Sequence, residues 1–211
     1  MTEKQVIFSC GDLRLEGLIA IPAGTPAGAA VVCHPHPMYG GSMYNNVVEA
    51  ALEGLWKRGY ATLRFNFRGV GSSDGEYDGG EGEVDDAAAA VAFLAERASA
   101  ARILLCGYSF GASIALRAGL ANPAVDRLIA IALPVAMMRP EGASGARKPV
   151  LLISGDRDDY SPGDGLEAFA ARLGDQARVE IIEGSDHFFG GYEGRLSAAI
   201  FSALADNPPA A

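Results

Sequence analysis

The chain has 211 residues, of which 49% are hydrophobic and 20% charged, with a formal net charge of -9. That length favours one domain with a substantial core, and that balance excludes a disordered chain. The acidity, with no run of Lys or Arg, excludes the basic surface that nucleic acid requires.

Met1-Thr2-Glu3-Lys4 leads into a strand pattern, so no signal peptide is expected. Residues 6–8 and 13–21 read as two strands joined at Cys10-Gly11-Asp12. Leu13, Leu15 and Gly17 alternate with Arg14 and Glu16, which suits an antiparallel edge hairpin. Residues 29–33 are a short apolar run, as in a buried strand, and a Pro-, His- and Gly-rich loop follows to Ser42. Val47, Val48, Ala51, Leu52 and Leu55 fall at helical spacing, with Gly59 as a stop. A strand over 61–67 precedes a glycine- and acid-rich loop over 69–82. Val84, Ala87, Ala88, Val91, Leu94 and Ala95 mark a second helix. Residues 103–106, 128–133, 150–154 and 179–182 read as strands. Helices are expected over 109–120, 166–173 and 192–204, and the tail from Asp206 is expected to fray.

A hairpin followed by alternating strands and helices predicts an α/β fold with a mostly parallel sheet covered on both faces. Ligands in such sheets bind at the carboxyl ends of the strands, so the residues just after each strand carry the information. No apolar run approaches the ~20 residues of a membrane span. Cys10, Cys33 and Cys106 are odd in number and widely spaced, which reads as free thiols in a reducing compartment. The cytoplasm is the expected location.

Gly107-Tyr108-Ser109-Phe110-Gly111 stands between a strand and a helix, the context of a nucleophile elbow. A sharp turn there holds the Ser109 hydroxyl over the sheet, and the flanking glycines let strand and helix approach. The helix N-terminus favours developing negative charge, and the Phe110 N–H is a candidate oxyanion donor. A serine hydroxyl needs an adjacent base. His187, a short loop after the strand over 179–182, is the candidate, since imidazole can take and return a proton near neutrality. An aspartate would hold its tautomer. Asp158 is the expected acid, with Asp156 and Asp159 as alternatives in the same loop.

The loop from His34 to Ser42 is expected to supply a second oxyanion donor. Pro35 and Pro37 have no N–H, which leaves His36 or Met38. Cys33, His34 and His36 could be read as metal ligands, but no second cluster completes a four-ligand site, so no metal is expected. Gly69-Val70-Gly71-Ser72-Ser73-Asp74-Gly75 follows a strand, but its third glycine is one place late for a dinucleotide fingerprint. Arg68 is expected to tie this loop down through Asp74, Asp85 or Asp86.

These motifs resemble the α/β-hydrolase superfamily, and most the small bacterial serine hydrolases related to dienelactone hydrolase. The resemblance rests on His34-Pro35-His36-Pro37 with Gly40-Gly41, on Asn66-Phe67-Arg68-Gly69-Val70-Gly71-Ser72-Ser73, on the elbow, and on Asp186-His187-Phe188-Phe189. It implies Ser109, Asp158 and His187 as a triad, no cofactor, and hydrolysis of a small-molecule acyl ester, with thioesters as relatives. Dienelactone hydrolases proper carry a cysteine where this chain has Ser109. Few residues separate the strands over 128–133 and 150–154, so no cap domain is expected. The open site would be rimmed by Tyr39, Tyr44, Met137, Met138 and Phe189. A thioesterase or acyltransferase, and a non-hydrolytic binding protein on the same scaffold, are the alternative functions.

Overall fold

The computed structural model describes residues 1–100, 102–137 and 145–205. In chain order it runs β1 (Lys4–Cys10), β2 (Leu13–Ala20), β3 (Gly28–Cys33), α1 (Asn46–Lys57), β4 (Tyr60–Phe65), α2 (Glu81–Arg97), β5 (Ile103–Tyr108), α3 (Phe110–Gly119), β6 (Val125–Ile131), β7 (Val150–Gly155), α4 (Gly163–Leu173), β8 (Ala177–Ile182) and α5 (Glu193–Ala205). The strands form one sheet in the order β1-β2-β4-β3-β5-β6-β7-β8. Only β2 runs against its neighbours; all pairs from β4–β3 to β7–β8 are parallel.

Strand period divides the core into two layers. Ala29, Val31, Ile103, Leu105, Leu128 and Val150 face α2, α3 and α4, through Val91, Ile114 and Phe169 among others. Ala30, Val32, Leu104, Cys106, Ile129 and Leu151 face α1 and α5, through Leu52, Leu55 and Ile200. Both faces are covered, so the central strands read as continuous apolar runs. Among the described residues no helix is long and apolar enough to cross a membrane. Residues 132–149 alone connect β6 to β7, and no cap domain is inserted there.

Several boundaries differ from expectation for identifiable reasons. β4 stops at Phe65 and not at Phe67. The Asn66 N–H turns to the Glu16 carbonyl (3.0 Å) and the Phe67 N–H to His34 Nε2 (3.1 Å). β6 begins at Val125, because Val125 and Arg127 pair with β5 although the charges of Asp126 and Arg127 break the apolar run. α2 begins at Glu81, inside the expected loop. There the buried Glu83 carboxylate reaches back to the N–H groups of Asp78 (2.9 Å) and Gly80 (2.7 Å) and starts the helix early. The tail from Asp206 lies outside the described residues.

Candidate active site

β5 and α3 meet at Ser109, whose φ of 53° lies in the left-handed region. A non-glycine residue there costs on the order of 1–3 kcal/mol and persists only where its surroundings impose it. They do so here. The Ser109 N–H donates to the Ile131 carbonyl (2.8 Å), and the Ala112 N–H donates to the Ser109 carbonyl (2.9 Å). A Cβ on Gly107 would meet the Gly111 carbonyl, and one on Gly111 would meet the carbonyls of Cys33 and His34. The two glycines therefore let α3 start hard against the end of β3. Ser109 is left with its hydroxyl at the carboxyl end of the sheet.

The structure brings Ser109, His187 and Asp158 together. His187 Nε2 lies 3.0 Å from Ser109 Oγ, and His187 Nδ1 lies 3.0 and 2.9 Å from the two Asp158 oxygens. His187 and Asp158 are buried. Asp158 Oδ1 also accepts the N–H groups of Tyr160 and Ser161, and Oδ2 accepts the Ser154 hydroxyl. Burial alone would raise the Asp158 carboxyl. The hydrogen bond and charge of His187 and the Ser161 and Tyr160 N–H groups outweigh it, and hold the carboxyl below its ordinary value. Of the alternative acids, Asp156 accepts the Gly184 N–H across the two loops and so braces the turn. Asp159 is exposed.

The loop after β3 holds two histidines with different tasks. His34 is fully buried and spans two strand ends. Its Nε2 accepts the Phe67 N–H, so the proton sits on Nδ1, which donates to the Pro35 carbonyl (2.6 Å). Burial lowers its pKa from 6.5 to about 4 and keeps it neutral. His36 Nδ1 accepts the Met38 N–H (3.2 Å), capping the short 3-10 turn Pro37–Tyr39. Its Nε2–H therefore faces the Tyr77 hydroxyl (3.3 Å). The Met38 N–H, one of the two expected second oxyanion donors, is thus already engaged. The His36 and Phe110 N–H groups have no protein acceptor among the described residues.

Arg68 selects Asp86 from its three expected partners. Nε and Nη2 fork onto the buried Asp86 carboxylate (3.0 and 2.7 Å), and the Arg68 N–H joins them (3.0 Å). Asp74 instead accepts the Arg14 N–H (2.9 Å).

The expected rim needs correction at one residue. Phe189 is fully buried in the α1/α5 layer; its φ of 55° reverses the chain and turns the side chain inward. Phe188 takes the exposed position, edge-on to His187 at 5.4 Å. Tyr39, Tyr44 and Met137 are exposed; Met138 lies outside the described residues. Sequence reasoning also missed Tyr108, whose hydroxyl donates to the His187 carbonyl (3.1 Å), and Tyr160, whose ring lies 4.8 Å from the His187 ring and tilted 53° to it. Tyr108 sits within the elbow motif, and Tyr160 lies two places after Asp158. A cavity of ≈ 260 Å³ lined by Arg127, Val150 and Arg178 lies at the opposite end of the strands from Ser109.

Comparison with known proteins agrees with this architecture. Residues 25–143 match the family described as serine aminopeptidase, S33. An uncharacterized protein of Rickettsia prowazekii is 38% identical over 194 residues, covering 88% of this chain and 82% of its own. An α/β serine hydrolase homologue from Coxiella burnetii superposes with a TM-score of 0.89 at 34% identity, covering 97% of this chain and 98% of its own. A Xanthomonas campestris protein described as an α/β serine hydrolase without lid gives a TM-score of 0.89 at 29% identity, covering 100% and 97%.

Proposed function

This chain belongs to the α/β-hydrolase superfamily, and from that premise we propose that it cleaves a small or accessible carboxylic ester through an acyl-enzyme intermediate on Ser109. The observation that carries this reading is the unbroken hydrogen-bonded chain from Ser109 Oγ through His187 to Asp158.

The chemistry follows from that chain. Ser109 Oγ attacks the ester carbonyl carbon while its proton passes to His187 Nε2. Asp158 fixes the Nδ1–H tautomer and stabilises the imidazolium that forms. The carbonyl oxygen becomes an oxyanion, for which the free N–H groups of Phe110 and His36 are the donors, aided by the N-terminus of α3. The tetrahedral adduct collapses, the bond to the alcohol oxygen breaks, and His187 returns its proton to that oxygen. A water then repeats the sequence on the acyl-serine, with its proton passing through His187, and releases the acid and free Ser109. Asp158 already accepts bonds from Tyr160, Ser161 and Ser154, so the imidazole is positioned before substrate arrives. No cofactor takes part in this scheme. The free thiols of Cys10, Cys33 and Cys106 suit a cytoplasmic protein.

The test is turnover of p-nitrophenyl esters from acetate to octanoate beside an amino-acid p-nitroanilide. Ester hydrolysis that needs Ser109 and His187 supports the reading. Hydrolysis of the anilide with no ester turnover would replace it with an aminopeptidase.

A further inference from the structure

The serine-hydrolase reading has a consequence for the substrate. His187 Nε2 must hand its proton to the departing alcohol oxygen, so the alcohol portion of the ester has to lie against the imidazole. Two rings stand there with their apolar surface open to solvent. Tyr160 is 4.8 Å from the imidazole and 45% exposed; Phe188 is 5.4 Å away and 60% exposed. Both are held by backbone bonds. The Tyr160 N–H donates to Asp158 Oδ1 (2.9 Å). The Phe188 N–H donates to Asp186 Oδ1 (3.0 Å), and its carbonyl accepts from Asn46 Nδ2 (3.1 Å). The rings are therefore placed beside the imidazole before substrate arrives, which lowers the entropic cost of using them for binding.

The same two loops carry a charge pattern. Asp156, Asp159, Glu183 and Asp186 are exposed, Asp158 is buried between them, and Arg157 is the only Lys or Arg among residues 156–161 and 183–190. An anion arriving at the leaving-group side meets net negative charge.

We propose that Tyr160 and Phe188 form a leaving-group subsite that selects uncharged alcohols with apolar ring surface, and that the surrounding carboxylates turn away anionic leaving groups. On this account the enzyme is an esterase for neutral esters and not a hydrolase for thioesters of phosphate-bearing carriers.

Acetate esters of ethanol, 2-phenylethanol and 2-hydroxyethanesulfonate test this, because the alcohols are similar in acidity and the acyl group is shared. Wild type should turn over the 2-phenylethyl ester with kcat/KM about tenfold above the ethyl ester, the order expected from burying one ring. The sulfonate ester should fall below the ethyl ester, with the deficit shrinking as salt is raised. In Tyr160→Ala/Phe188→Ala the phenylethyl-to-ethyl ratio should fall toward 1. Tyr160→Phe and Phe188→Trp, which keep the rings, should keep it. A ratio near 1 in wild type, or one that survives the double alanine variant, overturns the subsite, as does failure to turn over any of the three esters while a fluorophosphonate labels Ser109. Absence of both labelling and turnover would overturn the serine-hydrolase reading itself.

Discussion

The Met38 N–H donates to the Nδ1 atom of His36, 3.2 Å away, and this one contact organises the loop after β3. The side chain caps the turn formed by Pro37–Tyr39, while the N–H of the same residue, the proposed oxyanion donor, has no protein acceptor among the described residues and stays free. Removing a cap costs about 1 kcal/mol, and asparagine caps as well as any residue. His36→Ala should therefore lower kcat on p-nitrophenyl acetate by about tenfold with little change in KM. His36→Asn should recover most of it. Equal losses in both variants, or a loss confined to KM, would count against this role.

Asp158 and its neighbours give a sharper contrast. Asp158→Asn keeps the shape but loses the carboxylate that fixes the His187 tautomer, so kcat should drop by ~10³–10⁴. Asp156→Asn can still accept the Gly184 N–H through its amide oxygen, and Asp159 is exposed, so these two variants should stay within about threefold of wild type. Steady-state kinetics on the three folded variants decides it. A loss at Asp156 or Asp159 that matched the loss at Asp158 would contradict the assignment.

His34 predicts how stability depends on pH. The unfolded chain binds the imidazole proton near pH 6.5, the folded chain only near pH 4. Between those values the unfolded state holds more protons, so stability rises with pH through the window and is lost as pH falls toward 4. The loss from this group should reach about 3 kcal/mol at the acid end, and above pH 6.5 it should vanish. Urea unfolding of wild type and His34→Gln at pH 7.5 and pH 4.5 measures it. The variant should lose less stability on acidification; parallel losses would show that His34 is not the group responsible.

Arg68 and Asp86 tie the glycine loop to α2 through a forked pair whose carboxylate has no exposure. Arg68→Ala leaves that carboxylate buried without its partner and should cost ~3–5 kcal/mol. Arg68→Ala/Asp86→Ala should cost clearly less than the sum of the single changes, with a coupling of about 2 kcal/mol in denaturant unfolding. Strict additivity would mean that the pair does not hold the loop.

How much of this was legible in the sequence depended on how local each signal was. The elbow is contiguous, and its strand, turn and helix all appear within residues 103–120, so Ser109 could be placed from sequence. The Ser–Asp–His order and the alternation of strands and helices were equally direct. The choice among Asp156, Asp158 and Asp159 was not, because it depends on which carboxylate a tight turn aims at a loop about 30 residues away. Phe189, expected at the rim, lies in the core instead because a φ of 55° there turns its side chain inward, and no sequence pattern announces that backbone conformation. Arg68 had three acids in range, and only the packing of α2 against the loop picks out Asp86. The Met38 N–H meets a side-chain cap that no sequence pattern announces.

Fluorophosphonate labelling of wild type, Ser109→Ala and His187→Ala, with the modified residue mapped by peptide mass spectrometry, decides whether Ser109 is the nucleophile. Wild type should label rapidly on Ser109, Ser109→Ala not at all, and His187→Ala several orders of magnitude more slowly. Correctly folded wild type that fails to label, or that labels on another residue, would contradict that role.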